Sequence, residues 1–416
     1  MKPIIDVYDI ATEAEVQKQS RILRNGNEIT FAYSDRLAFS PDEFQRRYDL
    51  VQEKMETEGL DALLVRGPEN ITYFCGYETP GYYKYHCIVI TPGNDPIFII
   101  RSYEIINVPE YSWITKAVLV EEDDHPPSLT AQVLRELGLN GKRIGVEKQG
   151  FYYTVEEHET LCRDLPGAEF VDAIHILWDA RVIKSPDEIA LIHKSSDIVD
   201  KAMRAGWDAT AHGTTADKIN ATVNKTIFEN GGEYMGLPPF VLAGERSCLP
   251  HQTGGSNVLK QDDVMFFEIS ASQHRYCCAR MYTIFLGNPR QEMLDCAQVL
   301  IDAVGEALSY IKPGRTAHEC DEHVRSFVRK HGFGDNYRNR LGYSIGINYP
   351  PDWGEGEILS LRQGEERELQ PGMTFHMPPT NLKYREYGIG YSESIVVTND
   401  GCEKFSSLPL ELIIKA

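Results

Sequence analysis

The fold of this chain is decided by the stretch VMFFEISASQHRYCCARMYTIFLG at residues 264–287. Two apolar runs, rich in aromatic and β-branched residues, flank a polar segment at 272–275, which predicts two strands joined in a hairpin. The first run is apolar on both faces and yet carries Glu268. We therefore expect a buried carboxylate, whose cost a hydrogen-bonded partner or a cationic ligand must offset.

Signals for alternating strands and helices lie ahead of this hairpin. A capping box of Ser40 and Glu43 predicts an amphipathic helix over 40–60, and a second helix is expected over 128–139. Strand-like runs lie at 61–67, 81–93, 96–101 and 143–147. The pattern indicates a smaller α/β domain over residues 1–180, whose first 40 residues form an N-terminal extension.

A second domain is expected over residues 181–416, since 416 residues with 42% hydrophobic content exceed one typical core. The segment Ser185-Pro186-Asp187-Glu188 supplies an N-cap, a proline and early acids for a helix. Further helices are predicted near 214–232, 291–311 and 317–332, and strands at 371–377 and 390–398. Helices that alternate with hairpin-like strands favour an α+β fold over a doubly wound sheet.

Composition disfavours several classes of function. The net charge is −20, from 42 Lys and Arg against 62 Asp and Glu, which argues against nucleic acid and anionic membranes as partners. No apolar run reaches the roughly 18 residues that span a bilayer, and the acidic start is unlike a secretory signal, so we expect a cytoplasmic protein. Nine scattered cysteines without a CxxC pair indicate neither a disulfide framework nor a zinc site.

Two short motifs that would indicate a bound metal or nucleotide are misspaced or missing. His318 and His323 resemble a zincin pair, but a separation of five residues turns them about 140° apart on a helix, too far to share one metal. The patterns GxGxxG and GxxxxGK[ST] do not occur. Nucleotide binding therefore has no support in the sequence.

Glu268 and His251 remain as candidates for chemistry. His251 lies in FVLAGERSCLPHQTGG (240–255), where a strand runs into a Pro/Gly-rich turn of the kind that often holds functional residues. Two plainer interpretations stay open. Glu268 could form an ion pair with Arg275 or Arg280 inside the core, and His251 could be an ordinary loop residue.

Five positions resemble a two-metal peptidase site of the creatinase and methionine-aminopeptidase family. Metal-using members carry Asp, Asp, His, Glu and Glu where this chain has Glu268, Ala279, Tyr343, Pro378 and Ser392. A pair of divalent ions needs several carboxylates and an imidazole, and only Glu268 could still serve. The resemblance implies a member without metal, in which any catalysis comes from side chains alone.

A longer similarity lies in LGYSIGINYPPDWGEGEILSLRQGEERELQPGMTFHMPP (341–379). This run resembles the ectoine hydrolases, a metal-free branch of the creatinase-like proteins, and LPHQT (249–253), FFEI (266–269) and YYKYH (82–86) agree with that branch. The similarity covers roughly residues 40–416. It implies a pita-bread C-terminal domain, a smaller creatinase-like N-terminal domain, no cofactor and a homodimer.

The same resemblance implies roles for individual residues. Ectoine hydrolases open a cyclic amidine by attack of a glutamate on the amidine carbon, and a histidine exchanges protons while water resolves the intermediate to an N-acetyl-diamino acid. The corresponding residues here are Glu268 and His251. A protonated amidine is a cation and would offset the burial of Glu268. The side chains expected to bind the substrate are Tyr83, Tyr85, Tyr343, Trp353, His376 and Arg280.

Three other functions are alternatives to the opening of a cyclic amidine. A creatinase-like amidinohydrolase acting on a guanidino compound would keep His251, but that enzyme's glutamates are absent at Met281 and Pro378. A metal-dependent Xaa-Pro peptidase would lack its ligands. A catalytically inactive pita-bread domain that binds another protein is the alternative from a different class. The buried Glu268 and the absence of a long acidic tail argue against it.

Overall fold

The computed structural model describes residues 2–9, 17–23 and 26–416. It divides into two compact units, Met1–Arg181 and Val182–Ala416, and each has its own apolar core. Both units combine helices with mixed sheets, which confirms the α+β class. Within the described ranges, no helix is long and apolar enough to cross a bilayer.

The first unit is centred on one large sheet. Its strands are β1 (Ile5–Asp6), β2 (Gln17–Ile22), β3 (Glu28–Tyr33), β4 (Ala62–Val65), β5 (Cys87–Ile90), β6 (Ile97–Arg101), β7 (Lys116–Val120), β8 (Arg143–Val146) and β9 (Glu169–Asp172). Its helices are α1 (Pro41–Thr57), α2 (Pro68–Cys75), α3 (Val108–Tyr111), α4 (Pro126–Glu136), α5 (Val155–Asp164) and α6 (Ile174–Val182). Seven strands pair in the order β1-β7-β6-β5-β4-β8-β9, and β2 pairs with β3.

Local signals explain most of these elements. Ser40 caps α1 by accepting a hydrogen bond from the N–H of Glu43 at 3.3 Å, as the sequence predicts. The strand predicted over 81–93 was wrong in its first half. The N–H groups of Tyr82 and Lys84 donate to the carbonyls of Thr79 and Gly81, which makes a turn there and leaves only Cys87–Ile90 as strand.

The second unit contains two larger sheets and four helices. Its strands are β10 (Phe240–Ala243), β11 (Val264–Gln273), β12 (Tyr276–Leu286), β13 (Gly342–Ser344), β14 (Ser360–Leu361), β15 (Thr374–Met377), β16 (Thr380–Lys383), β17 (Tyr387–Gly390), β18 (Glu393–Val397), β19 (Cys402–Lys404) and β20 (Ile413–Lys415). Its helices are α7 (Pro186–Ala209), α8 (Ala216–Glu229), α9 (Gln291–Tyr310) and α10 (Ala317–Lys330). The sheets run β10-β11-β12-β20 and β14-β13-β15-β18-β19, beside the hairpin β16-β17.

The predicted hairpin is the centre of this unit. Strands β11 and β12 pair antiparallel over their full length. His274 and Arg275 form the two-residue turn between them with φ of 47° and 64°, as tight hairpin turns require. Helix α7 packs on both strands and begins at the capping box of Ser185 and Glu188, as predicted.

His318 and His323 have different surroundings on α10. The Nε2 of His323 lies 3.0 Å from Oε2 of Glu306, and its ring stacks on Tyr310 at 4.0 Å between centroids. The Nδ1 of His318 instead accepts a hydrogen bond from the N–H of Gly364 at 3.0 Å. Each imidazole therefore already has a structural partner of its own.

Candidate active site

Glu268 lies in the middle of β11, between a phenylalanine and a methionine. Its Cα partners are Phe240 on β10 and Met281 on β12, so the three side chains share one face of the sheet. Burial, and then the negative charge of Asp352, raises the pKa of Glu268 to about 8. Within the described part of the chain no group forms an ion pair or hydrogen bond with it. The residue as a whole is half-buried.

Arg275, one of the two arginines considered as its partner, is engaged elsewhere. Its guanidinium donates to the carbonyls of Tyr234 at 2.6 Å and Asn348 at 2.8 Å and lies 3.5 Å from a carboxylate oxygen of Glu233. The arginine thus holds the turn of the hairpin and leaves Glu268 without that cation.

Arg280 is also turned away from Glu268. It lies opposite Ile269 in the hairpin, on the other face of the sheet, because neighbouring residues of a strand alternate. Its guanidinium is 1% exposed and donates to Asp200 at 3.4 Å and Glu393 at 3.2 Å. The expectation that Arg280 binds substrate was therefore wrong, because it is a buried structural residue. The alternative in which Glu268 pairs with Arg275 or Arg280 does not hold either.

His251 lies beside Phe240, the residue that pairs with Glu268 across the sheet. Its ring is 5.5 Å from the ring of Phe240, which in turn is 5.3 Å from Trp353. The backbone of His251 is left-handed, with φ of 56°, which costs a non-glycine residue about 1 kcal/mol or more. The imidazole is exposed. Phe240 therefore brings His251, Trp353 and Glu268 to one place.

An uninterrupted set of hydrogen bonds runs through the aromatic side of the site. Nε1 of Trp353 donates to the hydroxyl of Tyr343 at 2.9 Å, and this hydroxyl lies 2.8 Å from Nδ1 of His376. Nε2 of His376 lies 2.8 Å from the hydroxyl of Ser392, which also accepts the N–H of Met281 at 2.6 Å. The charge of Glu268 helps to raise the pKa of Tyr343, after burial. Three predicted substrate ligands, Tyr343, Trp353 and His376, thus form one network.

A buried ion pair holds the loop that carries Trp353. Nζ of Lys184 lies 2.7 Å from Oε2 of Glu355, and both side chains are at most 2% exposed. Gly354 allows this loop to lie against the ring of Tyr343, because a Cβ at that position would come within 2.6 Å of the ring. The ion pair of Glu355 and the close packing of Gly354 against Tyr343 therefore fix the position of Trp353, which directly precedes them in the chain.

Ser344 completes a Gly-x-Ser-x-Gly spacing at Gly342–Gly346 but is not an exposed nucleophile. It is 1% exposed within β13, and its hydroxyl lies 3.2 Å from Nζ of Lys184 and 3.4 Å from Oε2 of Glu355. The serine serves the buried ion pair, whereas a serine hydrolase places this residue on a sharp exposed turn.

The two tyrosines predicted to bind substrate from the first unit differ in their surroundings. The ring of Tyr85 lies 3.9 Å below the guanidinium of Arg66, and its hydroxyl is 2.7 Å from that of Thr130. It is partly buried and packs against the apolar core of that unit, and its ligand role stays a prediction. Tyr83 is 67% exposed, with Nζ of Lys84 at 5.0 Å from its ring, and its role stays a prediction.

The five positions that resemble the family's metal site do not fit a pair of divalent ions. Ala279 and Pro378 have no donor atom, and the hydroxyls of Tyr343 and Ser392 are both bonded to His376. Two divalent ions require several anionic oxygen ligands or imidazole nitrogens. Of the five residues, only Glu268 supplies one.

Asp352 is a site residue that the sequence did not single out. Its carboxylate accepts the N–H groups of Trp353 and Gly354, and burial raises its pKa, although His251 and Arg340 counteract this. The backbone of Gly236 approaches it so closely that a Cβ there would lie 1.9 Å from its carbonyl oxygen. Its place in the Tyr-Pro-Pro-Asp-Trp-Gly string was the available signal.

Comparisons with known proteins follow the same division of the chain. Residues 190–399 match Metallopeptidase family M24, and residues 47–183 match the Creatinase/Prolidase N-terminal domain. An ectoine hydrolase of Halomonas elongata is 28% identical, with 91% of this chain and 99% of that protein covered. An uncharacterized hydrolase/peptidase of Sinorhizobium fredii is 31% identical over the same shares.

Solved structures share the fold. The prolidase of Thermococcus sibiricus superimposes with a TM-score of 0.82 at 20% identity, over 90% of this chain and all of that one. The X-Pro aminopeptidase of Thermotoga maritima gives 0.75 at 22% identity, over 87% and 99%. The fold is therefore a creatinase-type N-terminal domain followed by a pita-bread domain. The chain belongs to the M24 family of hydrolases.

Proposed function

We propose that this chain is a hydrolase that opens a small cyclic amidine of the ectoine type, without metal, with Glu268 as nucleophile and His251 as acid and base. The observation that carries the proposal is the state of Glu268, a half-buried residue with a pKa raised to about 8 and no cationic partner within the described residues. An amidinium is a planar cation with an electrophilic central carbon, so it suits such a carboxylate.

Substrate binding and ionisation of Glu268 support each other in this scheme. In the free protein at pH 7 a carboxyl group with a pKa of about 8 is mostly protonated. A bound cation stabilises the ionised form and lowers that pKa. The nucleophile is therefore formed when the substrate arrives, next to Phe240 and Trp353, whose rings favour a cation.

The bond changes balance with water as the other reactant. A carboxylate oxygen of Glu268 bonds to the amidine carbon and gives a tetrahedral adduct. Protonated His251 donates to one ring nitrogen, that C–N bond breaks, and the carbon stays on Glu268 as an imidate. Neutral His251 then takes a proton from the attacking water, and the C–O bond to Glu268 breaks. The released amine takes the second proton of the water, so amidinium plus water becomes amide plus ammonium. For ectoine the product is an N-acetyl-diamino acid.

The similarity to the ectoine hydrolase of Halomonas elongata supports the amidine as substrate class. A creatinase-like reaction on a guanidino compound is the second candidate. The presence of Asp352 near Glu268 favours it, because a guanidinium is also a planar cation and offers more than one donor edge to two carboxyl groups. A peptidase reaction would need the metal ligands that Ala279 and Pro378 lack.

The nucleophile is tested with Glu268→Gln, which keeps the shape of the side chain and removes its charge. We expect turnover of ectoine to fall by roughly 10³-fold or more, and mass spectrometry of the wild-type protein mixed with ectoine to find an adduct on the peptide containing Glu268. Glu229→Gln, at an exposed end of α8, is the matched control with normal turnover. Normal turnover by Glu268→Gln would contradict the proposal.

The acid and base is tested with His251→Asn. Asparagine adopts the left-handed backbone of residue 251 more readily than most residues, so the loop is expected to keep its conformation. Loss of proton exchange should lower kcat by about 10²- to 10⁴-fold, and circular dichroism should show an unchanged fold. An unaltered kcat would remove His251 from the scheme.

A panel of cyclic amidines and guanidino compounds separates the remaining alternatives. Turnover of guanidino compounds alone would favour the creatinase-like reaction. Neither turnover nor thermal stabilisation by any member would favour a catalytically inactive binding domain. We also propose a homodimer, and sedimentation equilibrium that finds only a monomer would contradict it.

A further inference from the structure

We propose that Tyr343, His376 and Ser392 form a reversible hydrogen-bond relay that responds to the charge of Glu268. When Glu268 is ionised, Tyr343 offers a hydrogen to the site, and when Glu268 is neutral, Tyr343 offers a lone pair. His376 and Ser392 are then positioning residues that act through Tyr343. The relay itself follows from the geometry, and its use in catalysis rests on the proposed function.

At each end of the relay lies a group that can only donate a hydrogen bond and cannot accept one. The indole N–H of Trp353 donates to Tyr343 at 2.9 Å, and the backbone N–H of Met281 donates to Ser392 at 2.6 Å. Between these ends lie two hydrogen bonds, Tyr343 to His376 and His376 to Ser392, each 2.8 Å. An indole and an amide donate only, so the freedom of the network is confined to its three central groups.

The three central groups carry one more polar hydrogen than the two hydrogen bonds between them use. Tyr343, neutral His376 and Ser392 carry one polar hydrogen each, and the two bonds between them use two. In one state Ser392 donates to Nε2, Nδ1 donates to Tyr343, and the hydroxyl hydrogen of Tyr343 is free. In the other state Tyr343 donates to Nδ1, Nε2 donates to Ser392, and the hydroxyl hydrogen of Ser392 is free. Each group holds one hydrogen in both states, so no proton is gained or lost.

Several properties of the site allow the charge of Glu268 to shift the populations of these two states. Tyr343 lies within the field of Glu268, and a negative charge favours the state that points a hydroxyl hydrogen towards it. His376 is buried and stays neutral, because burial, and then the charge of Arg280, lowers its pKa to about 3. Tyr343 keeps its hydrogen, because burial raises its pKa well above the usual value.

Other titratable or charged groups also lie near the relay. Asp352 and Cys277 act on Tyr343, Arg340 lies 5.0 Å from its ring, and His251 acts on Asp352. Arg340 and the Arg280 beside His376 add positive charge to the surroundings of the relay. Burial raises the pKa of Cys277 to about 12, so this thiol is neutral and adds no charge. Asp352, whose pKa burial raises, is the group whose titration must be separated from that of Glu268.

The relay matches the two halves of the proposed reaction. Before attack, ionised Glu268 holds the hydroxyl hydrogen of Tyr343 towards the substrate. After attack the carboxylate has become a neutral ester, and the preference for that state is lost. Tyr343 can then accept a hydrogen from the incoming water or the released amine. One side chain would thus change from donor to acceptor without changing its position.

Nitrogen-15 NMR of the histidine-labelled protein tests the relay without any substrate. The shifts of the two ring nitrogens distinguish the tautomers, and His376→Gln assigns the signals. Between pH 6 and pH 9.5 we expect His376 to stay neutral while its population moves from the Nε2–H towards the Nδ1–H tautomer, with a midpoint near pH 8, where Glu268 ionises. In Glu268→Gln the tautomer should stay constant.

Three results would overturn the relay. They are a constant tautomer in the wild type, the same change in Glu268→Gln, and protonation of His376 within the measured range. Asp352→Asn separates the sources, because a switch that depends on Asp352 alone would vanish in that variant. If Glu268→Gln kept normal turnover while the wild type showed the switch, the proposed function would fail and the relay would stand.

Discussion

Asp352 acts on Glu268 as a like charge and, after burial, is the second cause of the pKa of about 8. Two backbone N–H groups fix the carboxylate of Asp352, while the nearby arginines Arg275 and Arg280 serve other acids. Glu268 therefore has an acidic neighbour, and neither of these two arginines compensates its charge. This arrangement suits a cationic ligand, which would relieve both burial and repulsion.

The variant Asp352→Asn should lower the pKa of Glu268, because it removes a negative charge and leaves the shape of the loop residue intact. Burial is the larger cause, so the pKa should remain above the ordinary value for a glutamate. Carbon-13 NMR of the labelled glutamate carboxyl groups measures the change. An unchanged or higher pKa would show that Asp352 does not act on Glu268.

Glu268 should make the protein less stable as pH rises. Its pKa is about 8 in the folded chain against 4.5 in the reference state, so the folded state binds more protons between these values. Stability is highest below about pH 4.5 as far as this group is concerned and is lost up to about pH 8, by at most roughly 5 kcal/mol.

Urea unfolding of the wild type and of Glu268→Gln at a series of pH values checks this slope. The difference between the two proteins should grow in favour of the variant as pH rises from about 5 to about 9. Glu268→Gln should thus be inactive and, at high pH, more stable than the wild type. A difference that does not depend on pH would contradict the raised pKa.

The ion pair of Lys184 and Glu355 should be a major support of the site loop. Glu355→Ala leaves a buried ammonium without its partner, which typically costs about 3–5 kcal/mol. Urea unfolding measures this loss, and tryptophan fluorescence reports on Trp353, which is two residues away. The double variant Lys184→Met with Glu355→Leu should recover much of the stability. A loss below about 1 kcal/mol in the single variant would show that the pair is not essential.

Two glycine variants should differ sharply in their effects. In Gly354→Ala the new Cβ would lie 2.6 Å from the ring of Tyr343, so the ring must move and turnover should fall. In Gly305→Ala, inside α9, the Cβ meets nothing within 4 Å, and stability should rise by about 1 kcal/mol with normal turnover. Paired measurements of kcat/KM and thermal unfolding test both. Equal kcat/KM in the two variants would contradict the proposed contact at Gly354.

Activity should not depend on a divalent metal, because Ala279 and Pro378, two of the five positions that resemble the family's metal site, have no donor atom in their side chains. Dialysis against a chelator is expected to leave kcat/KM unchanged, and added Mn²⁺, Zn²⁺ or Co²⁺ should not increase it. Elemental analysis of the active protein accompanies the assay. A stoichiometric metal whose removal abolishes turnover would contradict this prediction.

Local features could be predicted because their causes are local. The helix start at Ser185 follows from a cap and a proline that lie within four residues of each other, and the strands around Glu268 follow from unbroken apolar runs. The region at 81–86 was misjudged, because turn hydrogen bonds from Tyr82 and Lys84 compete with an aromatic composition that is typical of strands. Composition alone does not show which of the two prevails.

The membership of the candidate site depended on tertiary contacts. Arg280 was misplaced because strand register sets which face a side chain occupies, and a change of one residue reverses that face. Asp352 was missed because its distance from Glu268 is 84 residues along the chain and is closed only by the folding of the loop. The network through His376 likewise joins three separate strands or loops.

By itself the sequence determined the α+β class and the hairpin with one acid in an apolar strand, because these depend on residue type and short spacing. The tertiary structure alone decided that none of the described residues pairs with Glu268 as a cation, that Asp352 raises its pKa, and that Tyr343, His376 and Ser392 are joined by hydrogen bonds. Burial, electrostatic fields and hydrogen-bond geometry depend on distances in space, which residues far apart in sequence acquire only on folding.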